Sequence, residues 1–195
     1  DDLTEVFETL KLRSEENELK DITEKTRNDN KRSIINELSA LLTRISNIKF
    51  LDPASGSGNF LIIAYKEIRR LEIKILQLLG DLQNNDSMPL SVIHLGNFNG
   101  IELDDFAHEV ARLSLWIAEH QMNKELEEAI PGTIAELLPL KDAGNIICAN
   151  SLRIDWNEVL PHSVDQEVYL MGNPPYYGAR KQTPEQKDDL SYVFK

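Results

Sequence analysis

Residues 48–60 read IKFLDPASGSGNF, and this stretch is the strongest indication of the protein's architecture. A short apolar run ends at Asp52-Pro53, a loop with two glycines follows, and a helical pattern begins near Asn59. The order strand, glycine loop, helix is typical of sheets that bind ligands at the carboxyl ends of their strands. Because glycine has no Cβ, such a loop can bring backbone N–H groups close to a ligand.

The glycine loop does not match the two common phosphate-binding patterns. A dinucleotide fingerprint needs a third glycine where this chain has Leu61, and an acidic residue about 20 positions later. The first acidic residue at a predicted strand end is Glu102, much farther along. A P-loop needs Gly-Lys-Ser/Thr, which does not follow this loop. The loop therefore predicts a ligand that carries a carboxylate, an amine or a sugar rather than a pyrophosphate.

Strands and helices alternate through the rest of the chain. The sequence predicts strands at Phe98–Leu103, Asn145–Ala149 and Val168–Met171, and a short one at Ser91–Leu95. This alternation predicts an α/β fold, with a mainly parallel sheet and helices on both faces. The last helical pattern continues to Lys195, and only a few strands are predicted before it. We therefore expect a sheet that is incomplete at the C-terminus.

The first 47 residues predict a helical segment that packs rather than reacts. Apolar residues recur at helical spacing from Leu3 and again from Ile34. The polar stretch Thr23–Lys31 predicts the break between two helices. We therefore divide the chain into an N-terminal helical segment, residues 1–47, and an α/β domain, residues 48–195.

The composition is that of an ordinary globular chain. Its 195 residues include 21 Lys and Arg and 33 Asp and Glu, for a net charge of −12. Such a surface does not attract nucleic acid by bulk electrostatics, so DNA contact would need a local basic patch or parts of a longer polypeptide. Short apolar runs, the single Cys148 and an opening without a secretion signal predict no membrane and a cytoplasmic location. The four histidines lack ligand spacing, so we expect no metal.

Polar residues follow three of the predicted strands, and each allows two interpretations. Asp52 could bind an ammonium group, or only form a turn before Pro53. Glu102 could bind two ribose hydroxyls, because a carboxylate accepts two hydrogen bonds side by side, or face solvent beside a helix cap. Asn150 could contact an adenine edge with its amide, or cap the turn before Ser151.

The segment NPPY at residues 173–176 follows the predicted strand Val168–Met171. Two successive prolines lack N–H donors and restrict φ, so the backbone is stiff and its carbonyls have fixed directions. Asn173 adds a side-chain carbonyl and Tyr176 adds an aromatic face. Together they suit a planar group that carries an NH₂, or they form a rigid turn with a packed aromatic.

The two motifs together resemble those of the S-adenosylmethionine-dependent N6-adenine DNA methyltransferases, in the gamma order with the glycine motif first. The chain is also similar to the MmeI-like bifunctional restriction–modification enzymes, in which nuclease, methyltransferase and target-recognition parts share one polypeptide. That similarity lies in residues 60–65, 100–102, 111–121 and 183–186. The resemblance covers residues 48–195 and implies a Rossmann-like class I methyltransferase fold, with these residues as a partial catalytic domain.

The resemblance implies site-specific methylation of adenine N6 in double-stranded DNA, with S-adenosylmethionine as cofactor and the target adenine flipped out of the duplex. It implies that Glu102 binds the cofactor ribose, that Leu103 flanks its adenine and that Asn150 contacts the adenine edge. The methionine half of the cofactor would lie against the loop formed by Asp52, Pro53, Ala54, Ser55, Gly56, Ser57, Gly58, Asn59 and Phe60.

The target base is assigned to the second motif. The resemblance implies that Asn173 and the Pro174 carbonyl hold the amino group, with Pro175 in the same rigid segment, while Tyr176 stacks on the adenine. Two positions depart from the family pattern. Ser55 stands where the family most often has Cys, and Asn150 stands where many relatives have Asp.

Two other functions stay open at this point. Asn-Pro-Pro-Tyr also resembles the motif of glutamine methyltransferases that act on release factors, and of some RNA guanine methyltransferases, and the acidic charge favours that alternative. The chain could also be a non-catalytic scaffold that has only the cofactor-binding fold.

Overall fold

Four short strands pair in parallel in the order β3-β2-β1-β4. The computed structural model describes residues 2–84, 90–133, 145–175, 178 and 180–194. Its strands are Lys49–Asp52 (β1), Phe98–Glu102 (β2), Asn145–Cys148 (β3) and Val168–Leu170 (β4). Parallel neighbours need long crossover connections, and helices lie in those connections. The prediction of an α/β fold built on a parallel sheet is confirmed.

The described residues also form six α-helices. They are Asp2–Leu19 (α1), Glu24–Asn47 (α2), Asn59–Gln83 (α3), Asp105–Ala129 (α4), Trp156–Val159 (α5) and Pro184–Val193 (α6). Helix α6 begins where the sequence indicates, because Thr183 and Gln186 exchange side-chain hydrogen bonds with each other's backbone N–H and Pro184 follows the cap. None of the helices in these ranges is apolar over a length that would span a bilayer.

The described residues divide into two compact units. One unit comprises those of Asp1–Asn47, Glu67–Ile93 and Gln121–Glu136. The other comprises those of Ile48–Lys66, His94–His120 and Leu137–Lys195, and it contains the whole sheet. The predicted division into residues 1–47 and 48–195 stays a prediction.

A row of aromatic rings fixes the register of three strands. The Phe50 ring stacks on Phe98 at 4.7 Å between centroids and on Tyr169 at 5.6 Å, and these residues are paired across the sheet. On the opposite face Leu51 and Ile101 form a buried cluster with Leu160. Because side chains alternate between faces, a shift of one residue would exchange these two sets, so packing on both faces holds the register.

The prediction of a strand at Ser91–Leu95 is wrong. Residues 91–94 are irregular, and Leu95–Asn97 form a single turn of 3₁₀ helix. The backbone N–H groups of Val92 and Ile93 donate to the carboxylate of Glu72. A side chain therefore takes the donors that a strand would have used in a sheet.

The prediction of a break at Thr23–Lys31 is also wrong, because α2 begins at Glu24. The Thr23 hydroxyl accepts a hydrogen bond from the Thr26 N–H, which suits the start of a helix. The Arg27 side chain donates to the backbone carbonyls of Asn17 and Lys20. These polar residues thus join α2 to the end of α1 instead of separating the two helices by a long loop.

A buried ion pair lies within α3. Arg69 Nε is 3.0 Å from Glu72 Oε2, and the two side chains are 2% and 0% exposed. Arg69 also donates to Asn123 Oδ1 at 3.0 Å, and Glu72 accepts from the Ser91 hydroxyl. Burial raises the pKa of Glu72, and the positive charge of Arg69 opposes that rise. Each of the two buried charges is therefore compensated by the other, and removing either one would leave an unpaired charge in the interior.

We expect Glu72→Gln to lower the free energy of unfolding by about 3 kcal/mol or more, because it leaves the Arg69 guanidinium buried without a counter-charge. Urea unfolding measures the change. The matched control is Glu67→Gln on the same helix, where the partner Arg70 is 2.7 Å away and both side chains are exposed. That substitution should change stability by less than about 1 kcal/mol. Equal losses in the two variants would contradict the assignment.

Candidate functional site

The glycine loop joins β1 to α3 through two left-handed residues. Gly56 has a φ of 52° and Gly58 a φ of 82°, conformations that glycine adopts without steric cost. A Cβ on Gly58 would lie 3.3 Å from the Cβ of Ala111 in α4. The Ser55 N–H donates to the Ile101 carbonyl at 3.0 Å, which ties the loop to β2. The loop therefore turns tightly at the carboxyl ends of β1 and β2.

Glu102, the last residue of β2, holds the glycine loop with its carboxylate. Its Oε2 accepts from the Gly56 N–H at 2.7 Å and its Oε1 accepts from the Asp104 N–H at 2.9 Å. Each oxygen retains a further acceptor site, since a carboxylate has about four. Leu103 follows and is 71% exposed. The roles of Glu102 and Leu103 in binding ribose and adenine stay predictions.

Asp52 is fully buried at the end of β1. Its Oδ1 accepts from the Ala54 N–H at 3.0 Å, and its Oδ2 has no hydrogen-bond partner among the residues that the structure describes. Burial raises the pKa of Asp52; the Ala54 bond opposes the rise, and the negative charge of Glu102 adds to it. A buried carboxylate in this position is stabilised by a cationic donor, such as an ammonium group.

The second motif follows β4, which is the neighbour of β1. The Met171 N–H donates to the Leu51 carbonyl at 2.9 Å, so the pairing continues beyond β4. A Cβ on Gly172 would lie 2.7 Å from Asp52 Oδ1, closer than real Cβ atoms approach. Glycine at position 172 therefore lets the two loops meet. Sequence analysis missed Gly172, although its place directly before Asn173 is a signal that could have found it.

Asn173, Pro174 and Pro175 are exposed at this edge of the sheet. They directly follow Gly172, so this segment begins where the chain passes Asp52 and Pro53, at the start of the glycine loop. Tyr176 lies outside the described residues. The roles of the segment in holding and stacking on a base stay predictions.

Asn150 caps a turn after β3. Its Oδ1 accepts from the Leu152 N–H at 3.0 Å, and its Nδ2 donates to Asp189 Oδ2 in α6 at 2.8 Å. The turn-capping alternative is confirmed, and contact with an adenine edge stays a prediction. Sequence analysis did not identify Asp189, because a partner on a distant helix has no signal at local spacing.

The comparisons with known proteins agree with this architecture. Residues 23–195 match the family model of the MmeI DNA-methyltransferase domain. The chain belongs to the MmeI DNA-methyltransferase domain family. A solved structure of the type IIL restriction–modification enzyme MmeI, in complex with DNA, superimposes with a TM-score of 0.73 at 41% identity. The superimposed region covers 82% of this chain and 21% of the MmeI chain.

Two curated proteins are similar to this chain in sequence. DNA methyltransferase A of Bacillus subtilis is 52% identical over 158 residues, which are 81% of this chain and 18% of that protein. A Methanocaldococcus jannaschii protein, named as a type II restriction enzyme and methyltransferase, is 39% identical over 119 residues, 61% of this chain and 10% of its own length. The MmeI-family segment described here thus spans about a fifth or less of the length of these relatives.

We expect Asp52→Asn to raise the free energy of unfolding at neutral pH, because a neutral amide avoids the cost of burying an anion and still accepts from Ala54. A raised pKa in the folded state stabilises the wild-type protein below the unfolded pKa, about 3.9, and this contribution is lost as pH rises through the folded pKa. The stability difference between variant and wild type should therefore widen as pH rises. Urea unfolding at several pH values measures it.

The control for this measurement is Asp29→Asn, because Asp29 is an exposed aspartate on α2. Its effect on stability should stay small across the same pH series. A stability difference for Asp52→Asn that does not change with pH would contradict the placement of a buried anion.

We expect Gly172→Ala to destabilise the protein by about 1–3 kcal/mol, because its methyl group must displace the Asp52 carboxylate. The matched control is Gly178→Ala in the same connection, where the added Cβ has no atom of the described residues within 4 Å apart from its neighbours in the chain. Thermal unfolding compares the two. If Gly172→Ala is as stable as the control, the two loops do not meet at this residue.

Proposed function

We propose that this chain is the methyltransferase part of a restriction–modification enzyme that methylates adenine N6 at specific DNA sites, with S-adenosylmethionine as the methyl donor. The observation that carries the proposal is the close approach of Gly172 to Asp52. It brings together the glycine loop and the Asn173 segment, which is the NPPY motif at residues 173–176. The names of the relatives support DNA as the substrate and restriction–modification as the setting. We propose a cytoplasmic location, where such an enzyme meets the DNA of its own cell.

The residues at the glycine loop fit S-adenosylmethionine. The buried Asp52 Oδ2 can accept from the ammonium group of the cofactor, and Glu102 retains acceptor sites for two ribose hydroxyls. Leu103 offers an exposed apolar side chain for the adenine. When bound, S-adenosylmethionine supplies an electrophilic methyl group on a sulfonium centre.

Asn173 and Pro174 supply what the target base needs. The amino nitrogen of adenine is a poor nucleophile, because its lone pair is delocalised into the ring. If the Asn173 side-chain carbonyl and the Pro174 backbone carbonyl accept its two hydrogens, the nitrogen becomes more pyramidal and its lone pair is released. The prolines hold these acceptors in place before the base arrives, so little reorganisation is required as charge develops.

The base must leave the duplex to reach this edge of the sheet. Tyr176 would stack on the flipped base, and such stacking contributes about 1–3 kcal/mol. Arg180 and Lys181 are exposed shortly after the Asn173 segment. They provide local positive charge for phosphate contacts in a chain whose net charge is −12.

We expect Asn173→Ala in the full-length protein to lower the rate of adenine methylation by about 10²-fold or more, because it removes one of two preorganised acceptors. Transfer of a radiolabelled methyl group to duplex DNA measures the rate. Calorimetry should give the same cofactor affinity as for the wild type. The control, Asn28→Ala, changes an exposed residue on α2 and should leave both unchanged. Unchanged methylation by Asn173→Ala would refute this role.

The acidic net charge favours one competing substrate class, a protein in place of a nucleic acid, because a negative surface does not attract a polyanion. The wild-type full-length protein is assayed with duplex DNA, with a glutamine-containing release-factor substrate and with RNA. We expect methyl transfer to DNA alone. Transfer only to protein or RNA would identify a different substrate, and a protein that binds no cofactor at all would support the scaffold alternative.

A further inference from the structure

Helix α6 is joined to the turn that begins at Asn150 by a network of charged and polar contacts. Asp189 accepts from Asn150 Nδ2 at 2.8 Å and from Arg153 Nε at 2.6 Å. Asp188 accepts from the same guanidinium, which also lies 4.7 Å from the centre of the Tyr192 ring. The Arg153 N–H donates to the Asn150 carbonyl and closes the turn. Two consecutive aspartates on one helix therefore bind the turn, and Asp189 is the one that accepts a hydrogen bond from Asn150 in the part of the chain that the structure describes.

The two partners of Asn150 determine which way its carboxamide points. Oδ1 accepts from a backbone N–H and Nδ2 donates to a carboxylate. The reverse orientation would set an NH₂ against an N–H and a carbonyl oxygen against a carboxylate, and both contacts are repulsive. The bonds from Arg153 and Asn150 lower the pKa of Asp189, so it is a carboxylate at neutral pH.

The fixed carboxamide keeps one donor and one acceptor for a ligand. Nδ2 has a second N–H and Oδ1 a second lone pair, and a carboxamide can offer such a donor and acceptor to one planar partner. This pattern complements an adenine edge, which presents an amino donor next to a ring-nitrogen acceptor. A carboxamide that is free to flip and to change rotamer would present the pattern only part of the time, and cofactor affinity would be multiplied by the fraction of time spent in the binding orientation.

We propose that Asp189 is a positioning residue of the cofactor site: it holds the Asn150 carboxamide in the orientation that binds the cofactor adenine. This inference rests on the proposed function, because it assumes that Asn150 faces the cofactor. Asp189 belongs to α6, the helix that follows the Asn173 segment in the chain. The same contact therefore ties the turn at Asn150 to the helix that comes after the residues assigned to the target base.

The aspartate pair provides a matched test in the full-length protein. Asp189→Ala removes the carboxylate that accepts from Asn150 and Arg153. Asp188→Ala removes the neighbouring carboxylate, which accepts from Arg153. Asp189→Asn keeps an oxygen that can accept from Asn150 Nδ2. The readouts are the dissociation constant for S-adenosylmethionine by calorimetry, and the hydrogen-exchange rate of the Leu152 amide without cofactor.

We expect Asp189→Ala to weaken cofactor binding about tenfold and to speed exchange of the Leu152 amide. Asp188→Ala and Asp189→Asn should each stay within about threefold of the wild type. Equal affinities for Asp189→Ala and Asp188→Ala, or a loss in Asp189→Asn as large as in Asp189→Ala, would overturn the inference.

If the wild type binds no cofactor, the proposed function fails instead. Faster Leu152 exchange in Asp189→Ala than in Asp188→Ala would then still support the contact, and equal exchange would overturn it.

Discussion

The parallel pairing of β1 with β4 is the constraint on which the candidate site depends. Strands that are distant in the sequence end at the same edge of the sheet, because the Met171 N–H extends the pairing past β4 to the Leu51 carbonyl. The next residue, Gly172, then lies against the Asp52 carboxylate without a side chain between them. Chemistry that needs a cofactor and a second substrate in one place requires such a junction, since neither loop alone provides acceptors for both.

The burial of Asp52 has a cost in stability that a bound cation would offset. A carboxylate with one buried oxygen that lacks a described hydrogen-bond partner opposes folding, and its raised pKa expresses that cost. Glu102 nearby adds negative charge and uses both of its oxygens to hold the glycine loop and the start of α4. A cationic ligand at this loop would compensate both charges, whereas a purely structural turn would gain from an asparagine at position 52.

The sequence allowed the architecture to be predicted because its patterns are local. Strand, glycine loop and helix follow one another within residues 48–60, and the capping residues around Pro184 specify the start of α6. The contact of Asn150 with Asp189 could not be predicted, since it joins residues that only the folded chain brings together. The strand predicted at Ser91–Leu95 failed for the same reason: a distant carboxylate, Glu72, takes its backbone donors.

The charges near the two loops suggest how an acidic chain could act on an anionic polymer. The glycine loop is flanked by the carboxylates of Asp52 and Glu102, which suit a ligand with ammonium and sulfonium charges. The Asn173 segment is neutral and presents carbonyl oxygens, which suit an uncharged base. The exposed cations Arg180 and Lys181 follow that segment in the sequence. Negative charge is thus concentrated at the loop proposed to bind the cofactor, and positive charge follows the residues proposed to meet the nucleotide, so the net charge of −12 does not decide the substrate.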